Sequence, residues 1–180
     1  TPGQITGTDG QGFYTVTGAP LKTFILSLDA EEKFTITEQA PARQPYAVTW
    51  WNDGLAWNMR QGTGEDALTT LRTRTELEPE NSVWQLVTEI SKNGIVAART
   101  CAIYQTTDVG DLLLALAEGY QTPEARTTQY GYDQCGRLRT ETAPDGSQIH
   151  YTYDLYGRLL SRDEPWAESG RRITRYTYAC

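Results

Sequence analysis

The 180-residue chain has one histidine, one methionine and three cysteines. A lone His150 narrows acid–base chemistry, because a Cys/His dyad needs a thiol within hydrogen-bond reach of the imidazole. Cys135 is the nearest thiol in sequence, and a free cysteine in a strand or turn is more often packed than reactive. In the hairpin register given below, His150 faces Glu141 as a surface charge pair. Cys101, Cys135 and Cys180 are an odd set, so one disulfide with a free thiol and no disulfide both stay open. With His150 they show neither C-x-x-C nor H-x-x-x-H spacing. Asp133 and Asp154 lie in short turns without the dense Asp/Asn run of a calcium loop. No metal or cofactor is expected. The longest apolar run, Leu112–Ala117, has six residues, against the ~20 that span a bilayer. Thr1–Gly10 lacks the basic-then-apolar order of a signal peptide, so a soluble chain without membrane insertion is expected.

Positive charge is also scarce. The net charge is −7, which argues against nucleic acid, whose binding depends on Lys and Arg neutralising phosphates. The deficit is uneven: residues 1–125 carry −8 and residues 126–180 carry +1, with arginine supplying every cation of the second stretch. Gly7–Gly12 has no Lys-Ser/Thr and opens no helix, so it is no phosphate cradle. Glu31/Glu32 and Asp163/Glu164 are adjacent, and neighbours on a strand point to opposite faces, which makes poor acid/base partners. No catalytic residue emerges, and the chain is not expected to be an enzyme.

What is abundant is threonine, 26 residues, together with 11 tyrosines and five tryptophans. These residues favour a pleated, half-buried surface. A repeat closes the chain. Tyr130-Gly-Tyr132-Asp133-Gln-Cys-Gly136-Arg137-Leu138 recurs 21 residues later as Tyr151-Thr-Tyr153-Asp154-Leu-Tyr-Gly157-Arg158-Leu159, and Tyr176-Thr-Tyr178 begins a truncated third copy. In each copy the Asp-x-x-Gly-Arg segment reads as a turn, with Gly supplying backbone freedom and Asp accepting N–H bonds.

Between the copies, Asp145-Gly146 suits a two-residue type I′ turn. That turn pairs Thr142 with Ile149, Thr140 with Tyr151 and Leu138 with Tyr153, and on the other face Glu141 with His150 and Arg137 with Asp154. Asn93-Gly94 centres a second hairpin, pairing Ile90 with Ala97, Leu86 with Cys101 and Trp84 with Ile103. Asp53-Gly54 centres a third, pairing Trp50 with Trp57 and Val48 with Met59. Leu71–Leu77 alternates, with Arg72, Arg74 and Glu76 outward, and stops at Pro79. Leu21–Leu28 and Phe34–Glu38 read as strands around a turn at Asp29–Glu32. Val109–Glu118 suits a helix ended by Gly119, with a fully buried strand as the alternative. The fold expected is all-β, an antiparallel meander of successive hairpins.

The Tyr-x-Tyr-Asp-x-x-Gly-Arg-Leu segments, with Pro-Asp-Gly between them, resemble the YD repeat of RHS-repeat proteins. The resemblance covers residues 126–180, while residues 1–125 share only the hairpin rhythm and are expected to be degenerate repeats. It implies a curved sheet, like a segment of the hollow shell that such bacterial proteins wind, and an extracellular or cell-surface place. It also implies partners, either neighbouring repeats of a longer chain or a second copy joined through strand edges. The Asp-Pro-x-Gly type motif and acidic pair of the toxin branch are absent, so a toxin fragment without its effector is a further alternative. Tyr130, Tyr132, Asp133, Gly136, Arg137, Tyr151, Tyr153, Asp154, Gly157 and Arg158 are the structural motif. Trp50, Trp51 and Trp57 are the candidate ligand-binding aromatics, since flat rings stack on sugar faces. A carbohydrate- or receptor-binding module is therefore the alternative to a scaffold.

Overall fold

The computed structural model describes residues 4–6, 14–17, 23–39, 44–51, 55–64, 66–167 and 170–179. The Gly7–Gly12 stretch, the Asp53-Gly54 turn and Cys180 lie outside them. The described residues form fifteen strands: β1 Gln4–Thr6, β2 Tyr14–Thr17, β3 Thr23–Leu28, β4 Phe34–Gln39, β5 Tyr46–Trp51, β6 Ala56–Gln61, β7 Leu68–Glu78, β8 Val83–Lys92, β9 Ile95–Thr107, β10 Gly110–Glu118, β11 Arg126–Tyr132, β12 Leu138–Thr142, β13 Gln148–Tyr153, β14 Leu159–Trp166 and β15 Gly170–Arg175. Each lies beside its successor in the chain. One 3-10 turn, Pro79–Asn81, separates β7 from β8. The fold is an all-β antiparallel meander.

Contacts divide the chain into two compact units: Thr1–Thr75 with Leu86–Arg99, and Glu76–Gln85 with Thr100–Cys180. In the first, the register is Phe34↔Trp50, Trp50↔Trp57 and Trp57↔Arg72, with Ile36↔Val48, Val48↔Met59 and Met59↔Thr70 one row away. The Trp50↔Trp57 and Val48↔Met59 pairs are those expected of a two-residue hairpin. Directly opposed residues share a face, so one face is largely apolar. The other carries Ser27, Thr35, Thr49 and Asn58, and the Thr35 and Thr49 hydroxyls meet at 2.9 Å.

The second unit departs from expectation in three places. Val109–Glu118 is not a helix: β10 pairs with β9 and β11, and its residues are half-buried on both faces, neither helical nor fully buried. Six apolar residues in a row carry no period that separates helix from strand, and the neighbouring strands decide. Trp84 stacks on Tyr104, with ring centroids 4.4 Å apart, rather than facing Ile103. The third departure is the Asp145-Gly146 turn. Gly146 alone has positive φ, +82°. Its N–H donates to the Ala143 carbonyl, and the Ala143 N–H to the Ser147 carbonyl. That is a three-residue loop, a type I turn with Pro144 at its second position closed by a glycine bulge, whereas type I′ needs two positive φ values. The extra residue slips the register by one, giving Thr140↔His150, Glu141↔Ile149 and Thr142↔Gln148. A one-residue slip exchanges the faces of a strand pair. His150 therefore faces Thr140 and, on β14, Asp163, not Glu141.

Few side chains are deeply buried. Among the described residues the buried apolar side chains are Ala56 and Ala67 in the first unit and Trp84, Cys101 and Ala102 in the second. Stability must therefore come from cross-strand pairs, each contributing roughly 0.2–1 kcal/mol.

Candidate functional site

The repeat motif builds the same frame twice. Asp133 Oδ1 accepts the N–H of Cys135 at 2.9 Å and of Arg137 at 3.0 Å, while Oδ2 accepts Arg137 Nε at 2.7 Å. Asp154 repeats this with Tyr156 and Arg158 at 2.9, 2.9 and 2.7 Å. Each turn is closed by the Asp N–H donating to the Arg carbonyl and the Gly N–H to the Asp carbonyl. Gly136 and Gly157 sit at φ +75° and +81°. A Cβ at Gly136 would also lie 2.5 Å from Val109 Cγ2, so that position is confined by contact as well as by φ.

The frames are then clamped to one another. Arg137 Nη1 donates to the Asp154 carbonyl at 3.0 Å, and the guanidinium lies 5.1 Å from the centre of the Tyr153 ring. Arg158 lies 4.7 Å from the Tyr178 ring centre, the same relation one copy on. The second tyrosine of each copy anchors to backbone: Tyr132 to the Leu113 carbonyl, Tyr153 to Leu138 and Tyr178 to Leu159, at 2.9, 2.8 and 2.9 Å. A register shift recurs at Gly131/Tyr132 and at Thr152/Tyr153.

Electrostatics follow the geometry. The Arg137 backbone N–H, with the Arg137 side chain and the Cys135 N–H, holds the Asp133 carboxyl below the usual range against partial desolvation. At Asp154 desolvation pushes upward, and the Arg158 and Tyr156 donors outweigh it. Burial raises Tyr130, Tyr132, Tyr151 and Tyr153 above the ordinary phenol. These groups are held in fixed charge states near neutral pH, which suits a frame and not proton transfer.

One copy of the frame was not legible in the sequence. Asp29 Oδ1 accepts the N–H of Glu31 and of Lys33, both at 2.9 Å, the Asp29 N–H donates to the Lys33 carbonyl, and the Glu32 N–H to the Asp29 carbonyl. This is the Asp133 turn over again, with Glu32 at φ 58° in the glycine place and Lys33 in the arginine place. Leu26-x-Leu28-Asp29-x-x-Glu32-Lys33-Phe34 thus occupies the frame with only its aspartate kept. A basic residue four after an Asp that ends a strand was the available signal.

Residues 136–165 match the family model described as RHS Repeat. This segment is similar to an RHS repeat. The match covers about a sixth of the chain. It takes in the Gly136-Arg137 end of the first copy of the motif and the whole Tyr151–Leu159 copy. No curated protein matches the chain. Among the described residues, no helix is long and apolar enough to cross a membrane.

The remaining candidates fall into two groups. Cys135 is exposed at the tip of the Asp133–Arg137 turn, whereas the cross-strand neighbours of His150 are Thr140 and Asp163. Asp163 is paired with Arg171, and Glu164 with Arg162 and Arg172, which leaves neither for acid/base work. Trp50 and Trp57 stand side by side on the apolar face of the first unit. Trp50 stacks on Phe34 with centroids 5.9 Å apart, and Arg72 lies 4.7 Å from the Trp57 ring centre. Arg72 is therefore half-buried against an indole rather than simply outward. Trp51 pairs with Ala56 on the opposite face and stands apart from this row.

Proposed function

We propose that the chain is a non-enzymatic structural module of a large secreted or surface protein of RHS type. The carrying observation is the reuse of one frame. In both copies the aspartate, the arginine and the second tyrosine are spent on closing a turn or anchoring one strand to another. Its partners are neighbouring repeats, or a second copy paired through strand edges, whose open N–H and C=O groups template further strands. Nothing specific favours the toxin-fragment reading beyond the resemblance.

The test pairs Asp154→Ala with Arg158→Ala. Both variants should melt below the parent, by similar amounts, with no loss of any turnover. Parental melting together with abolished hydrolysis of ester, glycoside or phosphate reporters would overturn a scaffold role. Location is tested by protease shaving of intact producing cells: a protected chain excludes surface display.

One observation favours a second reading, a carbohydrate-binding module. Phe34, Trp50 and Trp57 form one transverse aromatic row, with Phe34 exposed. Saturable glycan binding lost on Trp50→Ala or Trp57→Ala supports it.

A further inference from the structure

The first unit holds an arginine that the repeat frame does not use. Arg72 lies on β7 directly opposite Trp57. Its Nε is buried without a hydrogen-bond partner. Among the described residues its guanidinium forms no ion pair. Arg99, Arg137, Arg158, Arg162, Arg171 and Arg172 each hold a carboxylate. Arg60, Arg126, Arg139 and Arg175 hold none among the described residues but are exposed to solvent, whereas Arg72 is half-buried. The chain has 23 acidic residues to draw on. A half-buried cation without counter-charge is costly, and a buried donor without an acceptor calls for an explanation.

The rest of the row narrows what that partner is. The register Leu28↔Phe34, Phe34↔Trp50, Trp50↔Trp57 and Trp57↔Arg72 places five side chains in one line across β3–β7. This line has hydrogen-bond donors, two indoles and a guanidinium, and no side-chain acceptor. Neither indole N–H of Trp50 or Trp57 donates to a described residue. Phe34 covers Trp50 and Arg72 covers Trp57, and no ring contact joins the two indoles. Their mutually facing sides are thus free of any ring.

A peptide would bring its own N–H groups, for which the row has no acceptor. A sugar acid matches it better. Its carboxylate meets the two Nη groups of the guanidinium, Nε being enclosed, its ring and hydroxyl oxygens accept from the indoles, and its C–H face lies on aromatic carbon. We infer that the Trp50–Trp57–Arg72 row binds a saccharide bearing a carboxylate, of the uronic acid class. This inference rests on the second reading above and adds the charge of the ligand.

The experiment is isothermal titration of the full chain with three probes: oligogalacturonate, its carboxyl-reduced neutral counterpart, and sulfated dextran. The expected result is saturable binding of oligogalacturonate, weakened about ten-fold or more in Arg72→Gln, with the neutral sugar unaffected by that change. Equal affinity for acidic and neutral sugars overturns the inference while the aromatic platform stands. Silence toward both overturns the two together. Sulfated dextran binding as tightly, independent of Arg72, makes the effect one of bulk charge and also overturns it. Should Arg72→Gln fail to fold, Arg72→Lys carries the test, since it keeps the charge and loses the fork. It must weaken oligogalacturonate alone, and unchanged affinity refutes the assignment.

Discussion

Gly131 and Thr140 offer a direct test of how neighbouring strands of the repeat fit together. The pair is opposed in the β11–β12 register, and its counterpart one copy on is Thr152↔Ser161. A Cβ at Gly131 would fall well under 3.0 Å from Thr140 Oγ1. In the later copy a threonine is accommodated because its partner is the smaller serine, the two hydroxyls meeting at 2.7 Å. Gly131 has no positive φ, so the backbone itself accepts any residue and only the collision opposes substitution. Thr140 can relieve it by rotating χ1, but its branched Cβ then swings a methyl group or the hydroxyl elsewhere into the packing. Overpacking of this kind costs about 1–3 kcal/mol. Gly131→Thr should therefore lower the melting temperature by about 2–4 °C per kcal/mol in a chain of this length. Adding Thr140→Ser should restore the parental value or exceed it, because a β-branched residue favours the strand over glycine by up to ~1 kcal/mol. Calorimetry of the four proteins gives the coupling energy. If the single and double variants melt alike, the two sites do not compensate and the pairing argument fails.

Three further outcomes follow from the turns and thiols. Glu32→Gly should stabilise the first unit by about 0.5–1 kcal/mol, since glycine takes φ 58° without the Cβ penalty, and urea unfolding measures it. Gly136→Ala should do the reverse by more, having both φ and Val109 against it. Asp133, Asp145 and Asp154 bind protons less readily folded than unfolded. Their contribution is thus present above the unfolded value near ~4 and lost as pH falls through the lower folded values. Melting should be flat from neutrality to about pH 5 and decline below about 4, less steeply in Asp133→Asn/Asp154→Asn. In a Cys180→Ser background, Cys135 should alkylate readily. Cys101, 3% exposed with its thiol pushed up by burial, should not, as intact mass will report.

From β3 onward, β10 excepted, strand identity was legible because Thr, Tyr and Trp alternate and Gly marks the corners. At the Trp50/Trp57 hairpin the register was legible too, since the pairing is the one centred on Asp53-Gly54 in the sequence. It was not legible at Pro144-Asp145-Gly146. There the same Asp-Gly pair serves a two-residue or a three-residue loop, and Pro144 selects the longer. The turn at Asp29–Glu32 was legible, but its kinship with the Asp133 turn was hidden, because Glu32 bears the αL strain that glycine would have announced. Arg72 was read from alternation as outward-facing. Alternation assigns a face and says nothing of whether a guanidinium lies down on the indole beside it.

The turn that closes each repeat fixes its aspartate, glycine and basic residue and asks nothing of the two positions between them. Those positions hold Gln134 and Cys135 in one copy, and Leu155 and Tyr156, the former fully exposed, in the next. In the frame their part is carried by backbone N–H groups, which every residue but proline supplies. Each corner is thus a place where the protein's display can change while strand length and register stay as they are. A chain built from such corners can acquire or lose surface contacts two side chains at a time, without renegotiating its fold.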